Sequence, residues 1–333
     1  MSIPQTDHDA AAVARFDQAL AQALRRLGAD QGAILIAVSG GADSTSLLLG
    51  LVRLRVPRLE VVTFDHGVRP ESAAEVEAVV KRATALGLPA HPKSLGLEAG
   101  PAFEQRARDA RYAALEQLRK ERGLDFIATG HTASDQAETV LMRLARGSAL
   151  GGAAGIHARR GPLIRPLLGL TRADVLSSLS EAFVEDPMNL DPAYLRSRVR
   201  HDLLPKYEAI AGPGVAGHLA QTARYASEDE ALLWAQAGAA LSRITKDGAL
   251  DALALAALER PIARRVIARW LGGNQLEVDG ALVEGVLEAV DQGRQATLPK
   301  GQVLVNRAGW LRAAEAPSRN FTVATGTGGK DAL

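Results

Sequence analysis

The chain has 333 residues, 47% hydrophobic and 23% charged, with a formal net charge of +1. That length suits two domains of ordinary size, and the balanced charge gives no global attraction to nucleic acid, although local faces can still differ. There is no cysteine, which excludes disulfides, thiolate metal sites, iron–sulfur clusters and cysteine nucleophiles, and the seven histidines show no pair at helical metal-ligand spacing.

The N-terminus lacks the basic-then-apolar order of a secretory signal, and no apolar run reaches the roughly 18 residues of a membrane span, so a cytoplasmic protein without membrane contact is expected. Residues 10–27 place Val13, Phe16, Leu20, Leu24 and Leu27 three or four apart, predicting an amphipathic helix. Strands are predicted at 33–38, 59–64, around 90–94 and at 125–129, with helices at 44–54, 71–86, 102–121 and from about Ser134 between and after them. Apolar strands alternating with helices indicate a parallel sheet covered on both faces.

After Gly147 the composition turns glycine-rich (GSALGGAAGI), suiting a flexible or closely packed connection, and a short helix is predicted over 172–183. From about Gly212 the pattern is mostly helical, then QATLPKGQVLVNRAGWLRAA reads as short strands with tight turns at Lys300-Gly301 and Ala308-Gly309. The expected organisation is an N-terminal helix (1–30), a catalytic domain (31–213) with a helical connection from about 150, a C-terminal domain (214–315) and a mobile tail (316–333).

The chemistry concentrates at strand ends. ILIAV is followed by SGGADS, where Gly40 and Gly41 let backbone amides turn toward an anion. The next helix adds its N-terminal amides and dipole, Ser39 and Ser44 add hydroxyls, and Asp43 is suited to a divalent ion bridging phosphates. The loop has no Walker A lysine and no Gly-x-Gly-x-x-Gly spacing, so neither common phosphate fingerprint applies. A plain strand-to-helix turn capped by Ser44 is the alternative. Asp65 and His66 end the second strand, where open α/β sheets bind ligands. Glu104 and Arg108 form a favourable i,i+4 pair on one helix, with Arg111 and Tyr112 following. In TGHTASDQAET, Asp135 and Glu138 share a helix face, and two carboxylates beside a phosphate site require a magnesium ion or an amine between them. Arg196, Arg198, Arg200, His201 and Lys206 form a basic segment suited to an RNA backbone, or to a solvated helix face. Arg264, Arg265 and Arg269 with Trp270 fit either an RNA-facing surface or a solvated helix with a core tryptophan.

SGGADS, DHGVRP, EQRARDARY, TGHTASDQAET, RGSALGGAAGI and RPLL stand in the order found in the PP-loop ATP pyrophosphatases, which the chain resembles over about 280 residues. The resemblance implies a Rossmann-like PP-loop domain followed by a smaller, mostly helical C-terminal domain. It is strongest to the branch that ligates L-lysine to the wobble cytidine of tRNA(Ile) bearing a CAU anticodon, through a C2-O-adenylated intermediate. It implies ATP and Mg²⁺ as cofactors and tRNA(Ile) and L-lysine as partners, with a homodimer as a further expectation. ATP is expected on Ser39, Gly40, Gly41, Ala42, Asp43, Ser44, Asp65, His66 and His131, and Mg²⁺ on Asp43 and Asp135. Lysine and cytidine are expected near Asp135, Glu138, Glu104 and Arg108, with Asp43, Asp135, Glu138 and Arg111 as the catalytic set. The tRNA is expected on Arg196, Arg198, Arg200, Lys206, Arg264 and Arg265. The family's Arg-Asn-Arg is Arg-Ser-Arg at 196–198 here, leaving any role of that asparagine in doubt.

Rivals using the same loop fare worse. Thiolases of the family generally need cysteines for sulfur transfer or a cluster, and glutamine-dependent synthetases need a cysteine nucleophile; the chain has none. An ammonia-dependent synthetase of the NAD synthetase type needs none and is the best alternative, opposed by the basic 196–206 segment and the extra C-terminal domain. A nucleotide-binding module without catalysis is the third reading, opposed by Asp43, Asp135 and Glu138.

Overall fold

The apolar runs predicted as strands lie side by side in one sheet. The computed structural model describes residues 10–65, 72–96, 100, 103–179, 183 and 195–315. The tail expectation, His66 and the Glu104 side chain fall outside the described residues. The first elements are α1 (Ala10–Leu27), β1 (Ala33–Ala37), α2 (Ala42–Arg53), β2 (Arg58–Asp65), α3 (Ser72–Ala85) and β3 (Ala90–Ser94). They continue as α4 (Phe103–Arg122), β4 (Phe126–Thr129), α5 (Ala133–Leu144), α6 (Leu150–Ala153), β5 (Arg159–Arg160), β6 (Leu163–Ile164) and α7 (Arg172–Ser177).

The strand order is β3-β2-β1-β4-β6-β5, parallel throughout except for the terminal β5–β6 pair. The chain runs outward from β1 to β2 and β3, then crosses back to place β4 on β1's other side. Such a switch point opens a crevice at the carboxyl ends of β1 and β4, where α/β sheets bind ligands. Ile34, Leu35 and Ile36 of β1 are fully buried between helices on both faces. α1 is part of this core and not a separate segment. Its Phe16 and Leu20 lie so close to Gly50 of α2 that a β-carbon there would sit 2.6 Å from Leu20.

Two expected segments end differently. The helix predicted over 172–183 stops at Ser177, because the Ser177 and Ser178 hydroxyls donate back to the carbonyls of Asp174 and Val175. The glycine-rich stretch is closely packed: Gln136 exchanges hydrogen bonds of 2.6 and 3.0 Å with the Ile156 backbone. Gly155, at φ +59°, has no room for a β-carbon beside the Gln136 amide.

Beyond residue 194 come α8 (Leu195–Arg198), a π-helical turn (Val199–Leu203), α9 (Leu204–Ala211) and the long α10 (Val215–Ile244). The chain divides into two units, residues 1–228 and 229–333, with the division inside α10. The first turns of α10 belong to the catalytic unit because Val215 packs with Ala137, Val199 and Leu204.

The second unit holds β7 (Thr245–Lys246), β8 (Ala249–Asp251), α11 (Ala252–Ala256), α12 (Arg260–Gly273), α13 (Gly280–Asp291), β9 (Ala296–Leu298), β10 (Gln302–Arg307) and β11 (Trp310–Glu315). Its strands form an antiparallel sheet, β7-β8-β11-β10-β9, in addition to the expected helices. Ala308 and Gly309, at φ +51° and +82°, form the two-residue connection between β10 and β11 that hairpin twist favours. Trp270 is a core residue whose indole donates to the Gly248 carbonyl. Among the described residues, no helix is long and apolar enough to cross a membrane.

Candidate active site

The loop after β1 is shaped by its own hydroxyls. Gly40 takes φ +87° and Gly41 is the extended residue before α2. The Ser39 amide donates to Ser44 Oγ at 3.1 Å, and Ser44 Oγ donates to the Gly41 carbonyl. Thr45 Oγ1 donates to the Gly40 carbonyl at 3.3 Å. Ala42 is buried in the first turn and Asp43 is half-buried, and a helix start of this kind offers unpaired amides to an anion. The loop after β4 closes on it from across the switch point: a β-carbon on Gly130 would lie 3.0 Å from the Asp43 and Ser44 backbone. Two strand ends separated by most of a domain's sequence thus make one site.

The second half of the site is charged. Asp135 is 9% exposed and Glu138 fully buried on α5. Arg196 donates to Glu138 Oε2 at 2.7 Å and Asp135 Oδ1 at 2.6 Å, and Arg200 to Glu138 Oε1 at 2.5 Å and Asp135 Oδ1 at 3.1 Å. Spacing of four on one helix face aims both guanidiniums at α5, while Val199 between them packs on Ala137. Arg196 and Arg200, expected on an RNA backbone, are thus engaged with α5 in this structure while remaining 42% and 34% exposed. The two acids are neutralised by the chain's own arginines.

Asp135 also accepts from the Thr132 amide at 2.8 Å and the Thr132 hydroxyl at 3.1 Å, so its four acceptor positions are all taken. Glu138 accepts one bond at each oxygen from the described residues and retains acceptor capacity. Burial pushes Asp135 up, but the Arg196 charge, with His131, Thr132 and Arg200, holds it below the usual carboxylate range. His131 is hydrogen-bonded to the Thr129 hydroxyl at 2.9 Å, and burial pulls it down to about 4 against the Asp135 charge, so its ring is neutral at pH 7.

Asp43 pairs with Arg172 of α7 at 2.7 Å. The sequence reading missed this arginine, for it lies 129 residues away with no local signal. Burial raises the Asp43 carboxyl, Arg172 opposes that, and the nearby Asp135 charge adds to it. Among the described residues no three His, Asp or Glu side chains converge on a metal site. Magnesium normally needs only one or two carboxylates besides substrate phosphates and water. Asp43, held by a single ion pair to Arg172, fits that role, whereas the Asp135 oxygens are occupied by Thr132, Arg196 and Arg200.

The remaining predicted residues separate. Arg111 is largely buried on α4 beside the Tyr112 ring, and burial lowers its pKa. Arg108 is exposed, 5.2 Å from the same ring. Asp65 closes β2 at the carboxyl edge of the sheet. Arg198 and Lys206 are exposed. In the second unit Arg264 pairs with Glu284 and is half-exposed, and Arg265 is mostly buried against Glu230.

An anion cradle at the β1 carboxyl end, facing a buried carboxylate pair across the switch point, defines an ATP-using α/β enzyme of the PP-loop class. A family model described as a PP-loop domain matches residues 11–207. A tRNA(Ile)-lysidine synthase of Salinispora tropica is 39% identical over 91% of this chain and 96% of its own length. Another, of Methylobacterium nodulans, is also 39% identical, over 84% of this chain and 88% of its own. The U34-tRNA thiolase NcsA of Methanococcus maripaludis, solved with its [4Fe-4S] cluster, superposes with a TM-score of 0.54 at 19% identity, over 68% of this chain and 84% of its own. That likeness concerns the fold. The chain belongs to the tRNA(Ile)-lysidine synthase family, ligases of the PP-loop class that form a carbon–nitrogen bond.

Proposed function

We propose that the protein ligates L-lysine to C2 of the wobble cytidine of tRNA(Ile) with a CAU anticodon, cleaving ATP to AMP and pyrophosphate. Family membership supports the substrate, and the observation that carries the chemistry is the buried Glu138 on α5, whose preceding loop closes on Asp43 and Ser44 at Gly130. In the first step the cytidine C2 oxygen attacks the α-phosphorus of ATP and pyrophosphate leaves into the amides of the Ser39–Ser44 loop. Asp43 is the carboxylate suited to Mg²⁺, which lends charge neutralisation to the phosphates. In the second step the lysine ε-amine attacks the activated C2 and AMP departs with the former C2 oxygen.

The amine arrives as an ammonium and must lose a proton to become a nucleophile. Glu138, with acceptor capacity left, is the carboxylate that receives the ammonium and takes its proton as the C2–N bond forms. Asp135 fixes the Arg196–Arg200 bracket and the Thr132 turn around it. Arg111 and Arg108 are assigned to the nucleotide and base side of the cleft, and Arg198 and Lys206 to the RNA backbone.

Because adenylation precedes lysine in this order, tRNA(Ile) and ATP–Mg²⁺ alone should support exchange of labelled pyrophosphate into ATP. Net AMP release should require lysine. AMP release at the same rate without lysine, and no exchange, would contradict the two-step order.

A further inference from the structure

The phosphate loop itself supplies no cation, although Arg82 reaches Thr45 Oγ1 behind it at 3.5 Å. Residues 39–44 contain no lysine or arginine, and they include Asp43, whose charge opposes a polyphosphate. The structure brings a guanidinium to that spot: Arg172 Nη1 lies 2.7 Å from Asp43 Oδ1, with the side chain 45% exposed. Its backbone is held on several sides. Thr171 and Asp174 cap the helix start, with the Thr171 amide and hydroxyl both donating to Asp174 Oδ2. Val175 is fully buried. Ser178 meets Ser46 of α2 at 2.5 Å. The Leu170 carbonyl accepts from the Ala133 amide at the start of α5 at 2.8 Å. A half-exposed guanidinium reaches the first loop at Asp43, on a stem whose preceding residue is tied to the start of α5. A solvent-exposed ion pair contributes little to stability, which leaves the placement of Arg172 unexplained by folding alone.

We propose that Arg172 is a polyphosphate-binding residue. It neutralises Asp43 before nucleotide arrives. It then turns its fork of donors to the β- and γ-phosphate oxygens, which leave as pyrophosphate, while Asp43 takes the divalent ion that accompanies ATP. The inference rests on the PP-loop reading of residues 39–44 and not on the identity of the acceptor.

The test is titration calorimetry of inorganic pyrophosphate, ATP and AMP on the full-length chain. Arg172→Ala should weaken ATP and pyrophosphate binding by about tenfold or more, leave AMP unchanged, and be partly rescued by Arg172→Lys. Asp43→Asn frees the guanidinium, so it should tighten metal-free pyrophosphate binding, and the double variant should lose that gain. Should Arg172→Ala not fold, the Asp43→Asn titration decides by itself. Unchanged or weaker metal-free binding in Asp43→Asn, or an Arg172→Ala effect equal on AMP and ATP, overturns the proposal. A wild-type protein that binds neither ATP nor pyrophosphate overturns it together with the PP-loop reading. Arg172-dependent binding in a protein that transfers no lysine upholds it and removes the lysine reading instead.

Discussion

Replacing Glu138 with alanine should lower the unfolding free energy by about 3 kcal/mol and abolish lysine transfer. Glu138 is fully buried, and the Nε groups of both Arg196 and Arg200 point at it. Without it the two guanidiniums converge on Asp135, whose acceptor positions are already filled. Breaking a buried pair from one side costs about 3–5 kcal/mol. The lower end applies because Arg196 and Arg200 are 42% and 34% exposed and can turn to water. Glu138→Gln separates fold from function. It keeps the shape and one acceptor oxygen, so urea unfolding should show a smaller loss, while the missing charge cuts lysine transfer by about a hundredfold or more. Pyrophosphate exchange should survive in that variant, because the role proposed for Glu138 is on the amine and follows adenylation. A glutamine variant that transfers lysine at the wild-type rate would remove Glu138 from the amine site.

Acidification should weaken the fold in a window set by His131. Its ordinary value is 6.5 and its folded value about 4, so between these the unfolded chain binds more protons than the folded one. Stability therefore rises with pH across that window: the contribution is complete above about pH 6.5 and lost as pH falls through about 4. The size is at most about 3 kcal/mol. Asp135 acts in the same direction but lower, since its depressed carboxyl loses its contribution only as pH falls through that lowered value. Urea midpoints at pH 7 and pH 4.5 should differ strongly in the wild type and much less in His131→Gln. An equal acid loss in both proteins would show that His131 is not the titrating group.

Much of the catalytic unit is legible in the sequence because its signals are local. The five apolar residues of β1 and the turn at Gly40-Gly41 follow from strand burial and from a backbone conformation glycine favours. The pairing of Asp135 and Glu138 on one face follows from helical spacing. What the sequence leaves open is which charges meet. Arg196 and Arg200 look like any solvated basic face until α5 is seen opposite them, 58 to 65 residues away. Arg172 reaches Asp43 only because α7 packs on α2. The antiparallel sheet of the second unit was half visible, in the turns at Lys300-Gly301 and Ala308-Gly309, while β7 and β8 are too short to carry a periodicity.

The measurement that bears most directly on the central claim is incorporation of labelled lysine. The full-length protein is supplied with ATP, Mg²⁺ and unmodified tRNA(Ile) with a CAU anticodon, and tRNA(Met) with the same anticodon serves as control. Lysine fixed to the isoleucine tRNA alone, with AMP and pyrophosphate formed in step, is the predicted result. Pyrophosphate without lysine transfer would leave the cradle intact and contradict the acceptor. Neither product from well-folded protein would contradict the ligase reading itself.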